Sequence, residues 1–129
     1  MARSRGDTMT RKTKEPQYEA CLEVAREFGF HELGLMSNQT WHDDPRRLTF
    51  VLSRYKFVAK MFSGFSNVLE VGCADGFASR LVRQEVRRLT AVDFDPTFVR
   101  DARRRVSAKW PIEFRVHDMT AAPLANDYD

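Results

Sequence analysis

A five-residue turn, Gly72-Cys73-Ala74-Asp75-Gly76, constrains this chain more than any other feature, because of what flanks it. Before it stands a short apolar run, Asn67–Val71, and after it a helical pattern from about Phe77 to Arg87, with Phe77, Leu81, Val82 and Val86 inward. A second apolar run, Leu89–Phe94, ends in Asp93, and Asp95-Pro96 then opens another helix with Phe98, Val99, Ala102 and Val106 inward. Asp at the N-cap and Pro at the first helical position are the residues a helix start favours. After Pro111, Ile112, Phe114 and Val116 alternate with Glu113, Arg115 and His117, the period-two signature of a half-exposed strand. The two earlier runs lack that alternation, as strands buried on both faces do. Strand, helix, strand, helix, strand predicts an α/β fold: a Rossmann-like, partial doubly wound parallel sheet (βαβαβ) preceded by N-terminal helices.

Upstream, Tyr18, Leu22, Val24 or Phe28, and Ala25 recur at helical steps after Pro16, with Gly29 at the end. Residues 34–43 read as a polar loop containing Trp41. Asp44-Pro45 opens a longer helix whose stripe is Leu48, Leu52, Tyr55, Ala59 and Phe62, closed by Gly64. Arg100, Arg103, Arg104 and Arg105 read as a solvated helix face. The organisation expected is a disordered basic arm (1–15), a helical segment (16–64) and a ligand-binding half-domain (65–129).

Charge and composition remove several classes. Residues 1–14 carry five basic residues against one acid, so their net +4 exceeds the +3 of the whole 129-residue chain. The body is therefore not basic, and the arm reads as a solvated terminus before it reads as a nucleic-acid partner. No run approaches the ~20 apolar residues of a membrane span, and no apolar stretch follows the N-terminal basic residues as in a signal peptide. A cytoplasmic protein is expected. Cys21 and Cys73 stand far apart without metal-ligand spacing, so neither a disulfide framework nor a metal site is expected.

In open parallel sheets ligands bind at the carboxyl ends of the strands. Here those ends carry Glu70, Asp93 and Asp118, with Asp93 21 residues after Gly72. Two ligand classes use this layout. A dinucleotide needs Gly-x-Gly-x-x-Gly to bring its pyrophosphate to a helix N-terminus, but the second and third glycine positions hold Ala74 and Phe77. Glu70 and Asp75 also suit a cationic ligand and repel a phosphate.

The stretch Val68-Leu-Glu-Val-Gly-Cys-Ala-Asp-Gly76 resembles the first motif of class I S-adenosylmethionine-dependent methyltransferases, usually Glu-x-Gly-x-Gly-x-Gly. Ala91-Val-Asp93-Phe-Asp-Pro96 is similar to their second motif, and Val116-His-Asp118-Met119 to the third. The resemblance covers about residues 67–129 and implies S-adenosylmethionine as cofactor. It implies that Gly72, Cys73, Ala74 and Gly76 bring backbone to the methionine moiety, with Glu70 biasing the pocket toward its ammonium. It further implies that Asp93 accepts the ribose hydroxyls, Phe94 covers an adenine face, Asp118 accepts from the adenine amino group and Met119 packs on the ring. Ala74 departs from the family's glycine. The Cys73 side chain itself reads as a small packing residue, and Arg54 or Tyr55 stands as a candidate for the methionine carboxylate. The segment Trp41–Leu48 with Arg54–Lys60 also resembles a subgroup associated with bacterial surface-sugar gene sets.

Relatives of this family have about seven strands, so the sequence is expected to stop at the threshold of the fourth, near Asn126–Asp129. The expectations are methyl transfer by the full-length relative to a small molecule or sugar, little turnover by this chain alone, and no nameable catalytic residue. The competing reading is a non-catalytic module that completes its sheet with a partner or by dimerisation through the unpaired Val68–Val71 edge.

Overall fold

The structure, a computed structural model, describes residues 12–124 and 127–129. Most of the expected basic arm therefore lies outside the described residues. The chain divides into two compact units, Met1–Glu32 and Leu33–Asp129. In the first, a 3-10 turn at Pro16–Tyr18 leads into α1 (Glu19–Phe28). Thr13 donates to the Glu19 carboxylate from both its amide and its hydroxyl, and Gly29 ends α1 at φ +75°. The expected apolar stripe of α1 is only partly buried: Ala25 is covered, whereas Tyr18, Val24 and Phe28 are exposed.

The second unit holds α2 (Leu35–Asp43), α3 (Pro45–Met61), β1 (Asn67–Val71), α4 (Ser79–Arg83), β2 (Arg88–Asp93), α5 (Pro96–Arg104) and β3 (Glu113–Val116). The three strands are parallel in the order β1-β2-β3. The boundary between units thus falls after Glu32, and α2 and α3 group with the sheet instead of with α1.

The sheet presents Val68, Leu89, Ala91, Ile112 and Phe114 on one face. Ala59, Val82 and Val86 pack there with Val68 and Leu89, joined by Tyr55 and Phe62. Val99, Ala102 and Cys73 pack with Ala91 and Phe114. The α3 stripe read from the sequence is the one that turns inward. Asp44 caps α3 through the Arg46 amide, and Asp95 caps α5 through the Thr97 amide at 2.8 Å.

Four local expectations fail, each for a physical reason. Residues 35–43 are a helix, not a loop. Their polar sequence gives no amphipathic signal, and the helix start is held by carboxylates from far along the chain: Leu35 N–H donates to Asp101 and Ser37 N–H to Asp75. The helix after the glycine turn spans only Ser79–Arg83, because Glu85, Arg87 and Arg88 exchange helical bonds for backbone bonds to Gly64, Phe65 and Ser66. Val106 lies beyond the end of α5 and is exposed. Nor is the basic face of α5 simply solvated: Arg103 donates to the Phe114 carbonyl and the largely covered Arg105 pairs with Asp101 at 2.6 Å.

β1 is also less covered than a both-faces-buried strand. It is one of the two edge strands, and Val71 is 56% exposed. At its other end the edge is occupied: Asp129 N–H bonds the Asn67 carbonyl, and the Asp129 carboxylate accepts from the Ser66 and Asn67 amides. No helix among the described residues is long and apolar enough to cross a membrane.

Candidate functional site: the carboxyl ends of the strands

The glycine turn leaves β1 and is tied at once to β2. Gly72 and Cys73 both donate to the Val92 carbonyl, at 2.8 and 3.0 Å, and Ala74 N–H donates to Asp93 at 2.8 Å. His117 N–H donates to the Asp93 carbonyl, which extends the β2–β3 ladder past Val116. Parallel register thus gathers the segments carrying Glu70, Asp93 and Asp118 at one end of the sheet.

The turn is left-handed at three positions, Gly72 (φ +78°), Ala74 (φ +49°) and Gly76 (φ +66°). The two glycines serve different ends. A Cβ at Gly76 would stand 2.5 Å from the Phe114 ring, so Gly76 is needed for packing. A Cβ at Gly72 would meet nothing within 4 Å, so its bare Cα faces open space. Ala74 holds a conformation that disfavours L side chains by roughly 1–2 kcal/mol, which is the local reason a glycine suits that position.

Glu70 is the carboxylate that most needs explanation. Its oxygens accept from the Tyr55 hydroxyl and, at 2.6 Å, from the Ser79 hydroxyl. Burial pushes its pKa upward against those two hydrogen bonds. No Lys or Arg is paired with it among the described residues. An ionised carboxylate carries about four lone-pair sites, so two hydroxyls leave acceptor capacity. Tyr55 has its own pKa raised by burial and then by Glu70, so the phenol stays protonated as the donor. Tyr55 therefore supports Glu70, while Arg54 is solvent-exposed.

Asp75 is placed otherwise than expected. It is buried, and its oxygens take the Ser37 amide at 2.7 Å and the Phe77 amide at 3.0 Å. Its charge is spent on α2 and on its own turn, so the electrostatic case for a cationic ligand rests on Glu70. Asp93 is buried, accepting from the Ala74 and Asp95 amides, each oxygen retaining capacity. Phe94 is 73% exposed beside it. Asp118 and Met119 are exposed, and Asp118 accepts from the Thr120 hydroxyl and amide, which hold its pKa below the usual carboxylate range. The Cys73 thiol is in the core, its pKa pushed up to about 12 by burial and then by Glu70, so only its backbone belongs to the turn. A separate cavity bounded by Arg87, Arg88, Arg115 and Tyr128 borders the opposite ends of the strands, and none of the residues expected from the sequence lines it.

Ser79, Ser37 and the Asp101–Arg105 pair were not legible as site components. Ser79 lay inside a helical pattern, and the others act across 30 residues or more of chain. Among the described residues no group of three metal-ligating side chains is assembled.

A parallel βαβαβ sheet with a left-handed glycine turn after its first strand is the first half of the Rossmann-like fold of class I methyltransferases. Residues 68–129 match the family model described as a methyltransferase domain. Among solved structures, the fold is shared with the N-methyltransferase NodS from Bradyrhizobium japonicum WM9 in complex with S-adenosyl-L-homocysteine. That match has 21% identity and TM-score 0.52, covering 88% of this chain and 54% of that one. It is also shared with magnesium protoporphyrin IX methyltransferase (ChlM) from Synechocystis PCC 6803 with bound S-adenosylhomocysteine, at 17% identity and TM-score 0.50, covering 88% and 53%. The chain spans about half the length of these proteins. No curated protein matches the sequence.

Proposed function

We propose that this chain binds S-adenosylmethionine at the carboxyl ends of β1–β3, as the cofactor-binding part of a methyltransferase. The observation that carries the reading is Glu70: a half-buried carboxylate without a cationic partner among the described residues, beside a glycine whose missing Cβ leaves open space. A ligand with a fixed positive charge and an ammonium supplies the missing cation, whereas a pyrophosphate meets repulsion. The start of α4 adds to this, because Ser79, at the point where a dinucleotide's phosphates would be received, donates to Glu70 instead.

Within this reading Gly72 and Ala74 present backbone to the methionine moiety, and Glu70 orients the ammonium. Asp93 takes ribose hydroxyls with its remaining lone pairs, Phe94 covers the adenine, and Asp118 with Met119 forms the far wall of the adenine site. The cofactor brings an electrophilic methyl on a sulfonium, and the chain's contribution is to hold it in a fixed orientation for in-line attack. The methyl acceptor and any general base belong to the whole protein, for which we propose a small-molecule or sugar acceptor and a cytoplasmic setting.

Isothermal titration calorimetry with S-adenosylhomocysteine and, separately, NAD tests the reading. Saturable one-to-one heat with the first and none with the second is expected, and the reverse order sinks it. A second reading, association through β1, is favoured by the exposed Val71 on the edge strand. Light scattering on the eluting chain is expected to show a discrete dimer if that edge pairs with a second copy.

A further inference from the structure

The glycine turn is joined to α2 by a network that the cofactor reading does not use. Asp75, inside the turn, accepts the Ser37 amide in the first turn of α2. Asp101, on α5, accepts the Leu35 amide at 3.0 Å, one residue past the α2 N-cap, Gly34. Arg105 closes the loop: its Nη2 donates to the Asp101 carboxylate at 2.6 Å and to the Asp75 carbonyl at 2.8 Å. Asp75 and Asp101 are both buried, and so is Ser37. Gly34 permits the approach, since a Cβ there would run into the Asp75 carboxylate.

α2 has little of its own to hold it. Its sequence, LMSNQTWHD, buries only Ser37, and Gly34 at the N-cap offers no side-chain acceptor. The orphan amides at the helix start are satisfied from outside, by two carboxylates that also complement the helix dipole. One of these carboxylates is part of the turn; the other reaches the turn through the Arg105 guanidinium.

We propose that Asp75, Asp101 and Arg105 are positioning residues that make the conformation of the glycine turn and the docking of α2 a single equilibrium. Docked α2 fixes Asp75, and Asp75 together with Arg105 fixes the backbone of the turn between Gly72 and Gly76. Cofactor binding, which the preceding section assigns to that turn, is therefore coupled to α2 although no residue of α2 need touch the ligand. Coupling is reciprocal: whatever α2 docking contributes to affinity, the bound ligand returns as protection of α2.

The decisive variant is Asp101→Asn, which leaves every residue of the turn unchanged. Amide hydrogen exchange of residues 35–39 and calorimetry with S-adenosylhomocysteine are measured on the 129-residue chain and the variant. The expected result is faster exchange in α2 together with a rise in Kd of about tenfold, within the ~5–150-fold range of typical coupling. Saturating ligand should then restore part of the lost protection. Asp75→Asn should show the same pair of effects, and Arg100→Ala, an exposed residue of the same helix, should show neither. Faster exchange in α2 with unchanged affinity overturns the coupling. If the unaltered chain binds no S-adenosylhomocysteine, the cofactor reading fails, and unchanged exchange in Asp101→Asn separately refutes the tie to α2.

Discussion

Replacing Gly72 and Gly76 singly by alanine separates the two uses of the turn. Both residues have positive φ, so each substitution carries roughly 1 kcal/mol of left-handed strain, partly offset by the reduced freedom of the unfolded chain. At Gly76 the new methyl also overlaps the Phe114 ring, at 2.5 and 2.6 Å, and approaches Ala102 Cβ at 3.3 Å. Both neighbours are core residues that cannot swing aside. Overpacking of this kind costs about 1–3 kcal/mol, which brings the Gly76→Ala total to roughly 2–4 kcal/mol. At about 3–5 °C per kcal/mol for a chain of this size, Tm should fall by on the order of 10 °C. Gly72→Ala has no such overlap and should shift Tm by no more than about 4 °C on the same scale. Its methyl, however, fills the space that the backbone is expected to offer the methionine moiety. S-adenosylhomocysteine affinity should therefore drop at least about tenfold, a change of ~1.4 kcal/mol. Differential scanning fluorimetry and calorimetry read the two effects independently. A Gly72→Ala chain that binds like the parent, or a Gly76→Ala chain that melts with it, would contradict this division of roles between the two glycines.

Three further outcomes are expected. The pKa of Glu70 is raised above its ordinary 4.5 by burial, so folding favours its protonated form and its ionisation costs stability as pH rises through the folded value. The ligand's ammonium pulls the other way, so S-adenosylhomocysteine affinity should increase as pH rises through the Glu70 titration and level off once Glu70 is ionised. Glu70→Gln should flatten that pH profile, as followed by calorimetry in a pH series. The pKa of Asp101 is lowered, burial being outweighed by the Leu35 amide and Arg105. Its contribution to holding α2 is present above its unfolded pKa and lost as pH falls through the lower folded value, so exchange of residues 35–39 should accelerate at the acid end of the same series. Asp95→Ala removes the α5 cap and should lower stability by about 1 kcal/mol, a loss of roughly 3–5 °C in Tm, with S-adenosylhomocysteine affinity unchanged.

What the sequence disclosed follows the range of the forces involved. β1 is legible at both ends because an apolar run ending in a glycine turn is a local signal, and the starts of α3 and α5 because an Asp-Pro pair is local too. α2 was missed because its cause is not in its own residues. Nothing in Leu35–Asp43 announces a helix; the carboxylates that start it are 38 and 66 positions away. The shortened α4 has a similar origin, since Arg87 and Arg88 give their amides to Phe65 and Ser66. At the candidate site, the spacing of Glu70, Gly72, Asp93 and Asp118 was legible because strand ends in a parallel sheet fall at regular intervals. The role of Asp75 was not legible, because its carboxylate turns toward α2, a direction that only tertiary packing defines.

Backbone NMR of the labelled chain titrated with S-adenosylhomocysteine addresses the whole account at once. One-to-one, saturating shifts at Gly72, Ala74, Gly76, Phe94 and Met119 are predicted, all at the end of the sheet where Glu70 lacks a cation. Shifts confined to Arg87, Arg88 and Arg115 at the other end, or none at any concentration, would contradict it.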